Sequence, residues 1–106
     1  MDIPINNYDI YLGSRRSDAP DVCTDLPAIQ RSVAEYMSAI GGGFSVTSLV
    51  GGYVHNNGTF VIEDSIRISI SGSDDTSIRQ LAERLKQQFH QESVLVVKTK
   101  AEKRYT

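Results

Sequence analysis

From Phe60 to Ile70 the chain alternates with a period of two. Phe60, Ile62, Ile66, Ile68 and Ile70 fall on one side, and Glu63, Ser65, Arg67 and Ser69 on the other. Only an extended strand with one buried face satisfies that pattern. Asp64 breaks it. It falls on the apolar side, where a carboxylate needs a bulge, an edge or a partner. Just upstream, Asn56-Asn57-Gly58 follows a second apolar stretch, Phe44 to Tyr53. Asn-Gly accepts the positive φ angles of a tight turn, so the two stretches form a hairpin.

The other periods fit around this hairpin. Ile5 to Gly13 alternates, with Tyr8, Ile10 and Leu12 opposite Asp9 and Tyr11, and reads as a first strand. After the polar loop Ser14 to Asp21, Thr24 or Asp25 caps a helix with Pro27 in its first turn. Leu26, Ile29, Val33, Tyr36, Met37 and Ile40 recur at helical spacing, and Gly41-Gly42-Gly43 ends the helix. Asp74 or Asp75 caps a second helix, whose stripe is Ile78, Leu81, Ala82, Leu85 and Phe89. Val94 to Thr99 is mostly β-branched and reads as the last strand, followed by a basic, polar tail over residues 100–106.

The order is β-α-β-β-α-β: two βαβ-like units joined by the hairpin, the split βαβ plan. Right-handed crossovers put both helices on one face. The expected fold is α+β, a ferredoxin-like sandwich with a four-stranded antiparallel sheet and two helices on one face, as a single domain over residues 1–106. The opposite sheet face carries Glu63, Ser65, Arg67 and Ser69, with either Val94 and Val96 or Leu95 and Val97 from the last strand. Apolar side chains on an uncovered face imply self-association.

Bulk properties narrow the function classes. The net charge of -2 gives no basic field to draw nucleic acid or a membrane. No apolar run approaches the roughly 18 residues of a membrane span, and the start, Met1-Asp2-Ile3-Pro4, lacks the basic and apolar regions of a secretory signal. Cys23 is the single cysteine, and His55 and His90 have no ligands at metal spacing. These features read as a cytoplasmic protein without a metal or cofactor.

Glu63 and Tyr53 flank the hairpin. A carboxylate can hold a cation and a phenol can donate to developing negative charge; each also suits an ordinary surface or packing role. The turn decides whether they share a face. A two-residue Asn57-Gly58 turn pairs Tyr53 with Ile62 and separates them. A three-residue loop pairs Tyr53 with Val61 and unites them. Gly51-Gly52 inside the strand suggests a bulge or a close approach by a ligand. Arg15 and Arg16, between Ser14 and Ser17, suit an anion or a solvated loop. Arg67 adds a cation to the open face.

Three segments carry a family resemblance: Phe44-Ser45-Val46-Thr47-Ser48-Leu49-Val50-Gly51-Gly52-Tyr53, Glu63-Asp64-Ser65-Ile66-Arg67-Ile68, and Phe89-His90-Gln91-Glu92-Ser93-Val94-Leu95-Val96-Val97-Lys98. Their order and spacing resemble the small phage S-adenosylmethionine lyases, formerly called hydrolases. The resemblance implies ferredoxin-like subunits in a homo-oligomer, a trimer, with a small nucleoside-derived ligand between subunits. It assigns Tyr53 and Glu63 to the active site. The implied reaction cleaves S-adenosylmethionine to methylthioadenosine and homoserine lactone, and the implied role is protection of phage DNA from restriction. Two features differ from the family: the hairpin is about one residue shorter, and Val22 to Pro27 replaces a polar, His-containing helix start.

The Gln91-Glu92-Ser93-Val94-Leu95 ending is also compatible with phage "sponge" proteins, which sequester cyclic nucleotide-type immune signals such as cyclic ADP-ribose isomers. Arg15, Arg16, Tyr53 and the basic end from Lys98 to Arg104 would serve such a phosphate-bearing ligand. A third reading is a protein adaptor that uses the open sheet face.

Overall fold

The computed structural model describes residues 2–13, 26–54 and 56–106, with Tyr53, Val61 and Glu63 described by their backbone. Arg15, Arg16 and the expected helix cap at Thr24 or Asp25 lie outside the described residues. The elements run β1 (Ile3–Gly13), α1 (Leu26–Ile40), β2 (Phe44–Val54), β3 (Phe60–Ser71), α2 (Asp75–Gln88) and β4 (Leu95–Lys103). They form one antiparallel sheet in the order β2-β3-β1-β4. This is the expected ferredoxin-like arrangement.

The period-two isoleucines of β3 build the centre. Ile66, Ile68 and Ile70 pair with Leu12, Ile10 and Tyr8 of β1, and all six side chains are buried. Ile29, Val33 and Met37 of α1 and Ile78, Leu81 and Leu85 of α2 cover them. Each large aliphatic side chain buried here contributes roughly 1.5–3 kcal/mol. The helices are tied by polar contacts at their seam. Gln88 donates to the buried Ser32 hydroxyl at 2.7 Å, and the Tyr36 hydroxyl donates to Gln80 at 3.1 Å. Asp74, not Asp75, is the N-cap of α2, accepting from the Ser77 backbone N–H at 2.8 Å.

Several boundaries differ from the sequence reading. β1 begins at Ile3 in spite of Pro4. Its pairing with β3 starts only at Asn7, so at Pro4 only one side of β1 is paired and the missing N–H costs no second ladder. β4 begins at Leu95 and continues past Thr99 to Lys103, because Lys100 to Lys103 pair with Asn6 to Ile3. The end of the chain folds onto its own start: Arg104 donates to Asp2 at 2.7 Å. Tyr36 is only half-buried, and Ile40 is exposed.

The β3 ladder is asymmetric. Among the described residues, pairing with β1 runs to Gly13–Ser65, while pairing with β2 runs on to Val54–Phe60. Among the described residues, 60–64 and their partners in β2 thus form a two-stranded arm beyond the four-stranded sheet. The molecule is correspondingly long, 49 × 28 × 23 Å. At the arm's tip, Gly58 has φ +85°, and the Thr59 N–H bonds the Asn57 side chain at 2.9 Å.

Removing central volume should cost more than disturbing the arm. Ile68→Ala should lower unfolding free energy by about 2–5 kcal/mol, and Gly58→Ala by about 1 kcal/mol through its positive φ. Urea denaturation followed by circular dichroism checks both. An Ile68→Ala loss below that of Gly58→Ala would contradict this placement of the core.

Candidate functional site

The hairpin register decides the first question raised by the sequence. Tyr53 pairs with Val61 and Gly51 with Glu63. Paired residues share a face and alternate residues share a face, so positions 53 and 63 belong to one side of the pleat. Arg67, Ser65 and Leu49 have the same parity. This is the side away from the helices, since Ile66, Ile68 and Ile70 have the opposite parity. Gly51 and Gly52 stand in an unbroken ladder, Gly51 opposite Glu63 and Gly52 opposite Ile62; of the bulge and the close ligand approach that the sequence suggested, the bulge is not there.

The arm leaves apolar groups uncovered on its helix-side parity. Val50, Val54, Phe60 and Ile62 are 76%, 62%, 63% and 64% exposed. Both helices lie over the four-stranded part, so nothing in the described residues shields these four. A two-stranded ribbon is marginal in water without such cover. Asp64, on the same parity, is exposed and regularly paired with Val50. Its place on the apolar side is tolerated because that side is wet on the arm. Asp64 lines a cavity of about 390 Å³ with Leu26, Ser48, Leu49, Val50, Ser65 and Ile66. The sequence signal for it was the break in alternation.

On the open face of the four-stranded part, the register sets Thr47, Arg67, Tyr11 and Leu95 in one row and Ser45, Ser69, Asp9 and Val97 in the next. Leu95 and Val97, rather than Val94 and Val96, are thus the open-face pair. The Ser69 hydroxyl donates to Asp9 at 2.6 Å. Arg67 is held centrally, and its Nε is buried with no hydrogen-bond partner among the described residues. A buried donor left unsatisfied is costly, so Arg67 is a position where an acceptor is favoured.

A second concavity, about 450 Å³, lies on the other side of the sheet between α2 and β4. α2 packs over β1, which leaves the inner side of the edge strand β4 short of cover. At one end, the buried Tyr8 hydroxyl donates to Asp75 at 2.5 Å, and the Lys98 ammonium sits 3.0 Å from the same carboxylate. These bonds hold the Asp75 carboxyl below the usual range, Tyr8 contributing most and Lys98 next. The same bond, with burial, raises the Tyr8 phenol. Sequence reasoning missed this cluster, since Tyr8 and Asp75 are remote in the chain and Tyr8 read simply as a core residue.

No protein-family model and no curated protein matches the chain in sequence. Solved structures do match it in shape. A phage SAM lyase in complex with S-methyl-5'-thioadenosine superposes with a TM-score of 0.68 at 24% identity, covering 90% of this chain and 80% of that one. The apo state of a phage SAM lyase gives the same score and identity over 90% and 79%. CutA from Synechococcus elongatus gives 0.59 at 13% identity over 92% and 80%. The chain has the fold of the phage SAM lyases. The resemblance read from residues 44–98 and the shape of the whole chain therefore point to the same proteins, while the likeness to CutA marks the plan as one shared more widely. Among the described residues, no helix is long and apolar enough to cross a membrane.

The Asp75 cluster has a pH signature. Its carboxyl is lowered on folding, so the stability it contributes is present above the ordinary carboxylate pKa of about 4 and is lost as pH falls through the folded value. Asp75→Asn should therefore lower the melting temperature at pH 7, and the gap to the parent should close as pH falls below the ordinary carboxylate range. Thermal melts across that range check it; a gap independent of pH would refute the coupling.

Proposed function

We propose that this chain is an S-adenosylmethionine lyase acting as a homo-oligomer, with its site on the open face of the β2–β3 arm where a neighbouring copy closes over it. The observation that carries the reading is the register, which gives positions 53 and 63 the same parity in a fold shared with a methylthioadenosine-bound phage lyase. The exposed apolar groups of the arm and of the open face, Leu95 and Val97 among them, support closure by further copies, and a trimer is the order we favour.

In the reaction, the substrate's own carboxylate attacks its γ-carbon. A C–O bond forms, the C–S bond breaks, and its electron pair leaves on sulfur as neutral methylthioadenosine. No water and no net proton are consumed. The protein need only fold the methionine moiety into attack geometry and arrange charge around it. Glu63 holds the cationic end of the substrate, and Tyr53 donates to its polar groups. Gly51 and Gly52 offer backbone without side chains beside them. Arg67, with Arg15 and Arg16, serves the ligand's one anionic group, its carboxylate. The biological role is anti-restriction in the cytoplasm of a phage-infected host.

A second reading is favoured by Arg67 alone. An arginine with an unsatisfied buried Nε suits a phosphate-bearing ligand, as in a sponge for a cyclic nucleotide-type signal. Glu63 disfavours it, because a carboxylate repels such a ligand.

Incubation with S-adenosylmethionine should yield methylthioadenosine and homoserine lactone in equal amounts. Glu63→Gln should cut turnover on the order of 100-fold or more with unchanged circular dichroism. Absence of methylthioadenosine, with a phosphate ligand released stoichiometrically on denaturation, would replace the lyase by the sponge. Light scattering should give a trimer's mass, and Leu95→Asp with Val97→Asp should lower both mass and turnover. A clean, active monomer at micromolar concentration would refute closure by a second copy.

A further inference from the structure

Two apolar surfaces on the helix side of the sheet lack cover among the described residues. One is the arm, where Val50, Val54, Phe60 and Ile62 are between 62% and 76% exposed. The other is the groove of about 450 Å³ between α2 and β4, with Ile78, Ala82, Val94 and Val96 as its apolar lining. They stand apart in the sheet. The order is β2-β3-β1-β4, so β1 separates the arm's two strands from β4. In the described fold, the arm does not reach its own groove.

The two surfaces match in length and in charge. One groove wall, Asp75 to Lys86, covers about 16 Å of helix, and the other, Ser93 to Lys98, about 17 Å of extended chain. The strand from Phe60 to Asp64 is about 13 Å long and fits between them. Phe60 and Ile62 share a parity and stand about 7 Å apart, as do Val94 and Val96. Ile78 and Ala82, one helical turn apart, stand about 6 Å from each other. On the lining, Arg79, Lys86 and Lys98 outnumber Asp75 and Glu83 by one charge. The helix-side parity of the arm carries one acid, Asp64, and no base. The groove also adjoins a face already assigned to contact between copies, since Leu95 and Val97 lie on the other side of the strand that bears Val96.

We propose that the arm of one copy seats its apolar side in the α2–β4 groove of the next, with Phe60 and Ile62 against Val96 and Ala82. This rests on the homo-oligomer proposed above and names the surfaces that hold it together. The contact is heterologous, because two different patches meet, and such contacts close into a ring when the rotation allows. In a trimer each copy gives one arm and receives one, and neither surface is left open. A lone two-stranded ribbon is marginal in water, so the neighbour's groove is what orders the arm. The side of the ribbon with positions 53 and 63 faces away from the groove and stays available to a ligand. The site is therefore incomplete in a single chain.

Disulfide trapping tests the contact, with Cys23→Ser as the background. Phe60 and Val96 are 63% and 38% exposed, so cysteine at either position leaves the core intact. A chain with both Phe60→Cys and Val96→Cys should give a covalent trimer on a non-reducing denaturing gel after mild oxidation. A mixture of the two single variants should give heterodimers, and each single variant alone should stay monomeric on that gel. Phe60→Glu with Ile62→Glu should reduce the native mass from trimer to monomer by light scattering. Dimers of the Phe60→Cys variant alone would mean that arm meets arm, and would overturn the proposal. So would a trimer that survives the glutamate pair, an absence of links, or equal linking of Phe60→Cys to a Ser38→Cys control on α1. A parent trimer that makes methylthioadenosine but gives no such links would sink this contact and leave the lyase reading. Links without methylthioadenosine would do the reverse.

Discussion

The unequal reach of two ladders along one strand organises the described part of this molecule. Among the described residues, β3 pairs with β1 from Ser65 onward, but with β2 along nearly its whole length. From Ser65 to Ser71 it is an interior strand with one face sealed by two helices. From Phe60 to Asp64 it is, among the described residues, half of a two-stranded ribbon. The same period-two pattern therefore has opposite consequences along one strand. Ile66, Ile68 and Ile70 are almost fully buried, while Phe60 and Ile62, in phase with them, are mostly exposed. The sheet holds the arm at its base, and the arm carries the positions that matter most to the proposed chemistry.

Much of the plan was legible in local patterns, because each element's period matched its environment. The stripe Ile78, Leu81, Ala82, Leu85 and Phe89 is buried throughout, and the element order came from period changes alone. What escaped depended on which strand lies beside which, and for how far. Apolar alternation through Phe60 and Ile62 suggested burial, but local sequence carries no mark of which elements cover a given stretch of strand. For the same reason Asp64 looked like a buried carboxylate in need of a partner and is instead a wet one. Lys100 to Lys103 read as tail because basic residues suit both a solvated end and a protected edge strand.

The candidate site was legible to the extent that register is. Tyr53 and Glu63 stood out by residue type, and the sequence reduced their relation to a choice between two turns. The ladder from Val54–Phe60 inward takes the register of the longer loop. The Tyr8–Asp75–Lys98 cluster had no such handle. Its members come from the first strand, the second helix and the last strand, and only the fold brings them to a common point. Convergence of this kind is a tertiary property with no local period to reveal it.

The two faces of the arm bear on how a small chain can build a site for a cationic substrate. A ribbon has one set of side chains on each side, and burial of either set orders both. Here the helix-side set is apolar and uncovered, while the opposite parity contains Tyr53 and Glu63. Contact between the apolar set and another copy would supply the ordering free energy without using the polar set. A carboxylate within a single chain's core would instead lose its charge to desolvation or require a permanent partner. An arm ordered through its apolar side, with its polar side closed over by the proposed neighbouring copy rather than by its own core, avoids both outcomes. On that argument the absence of helix cover over residues 60–64, among the described residues, is what leaves the apolar side of the arm open to another copy.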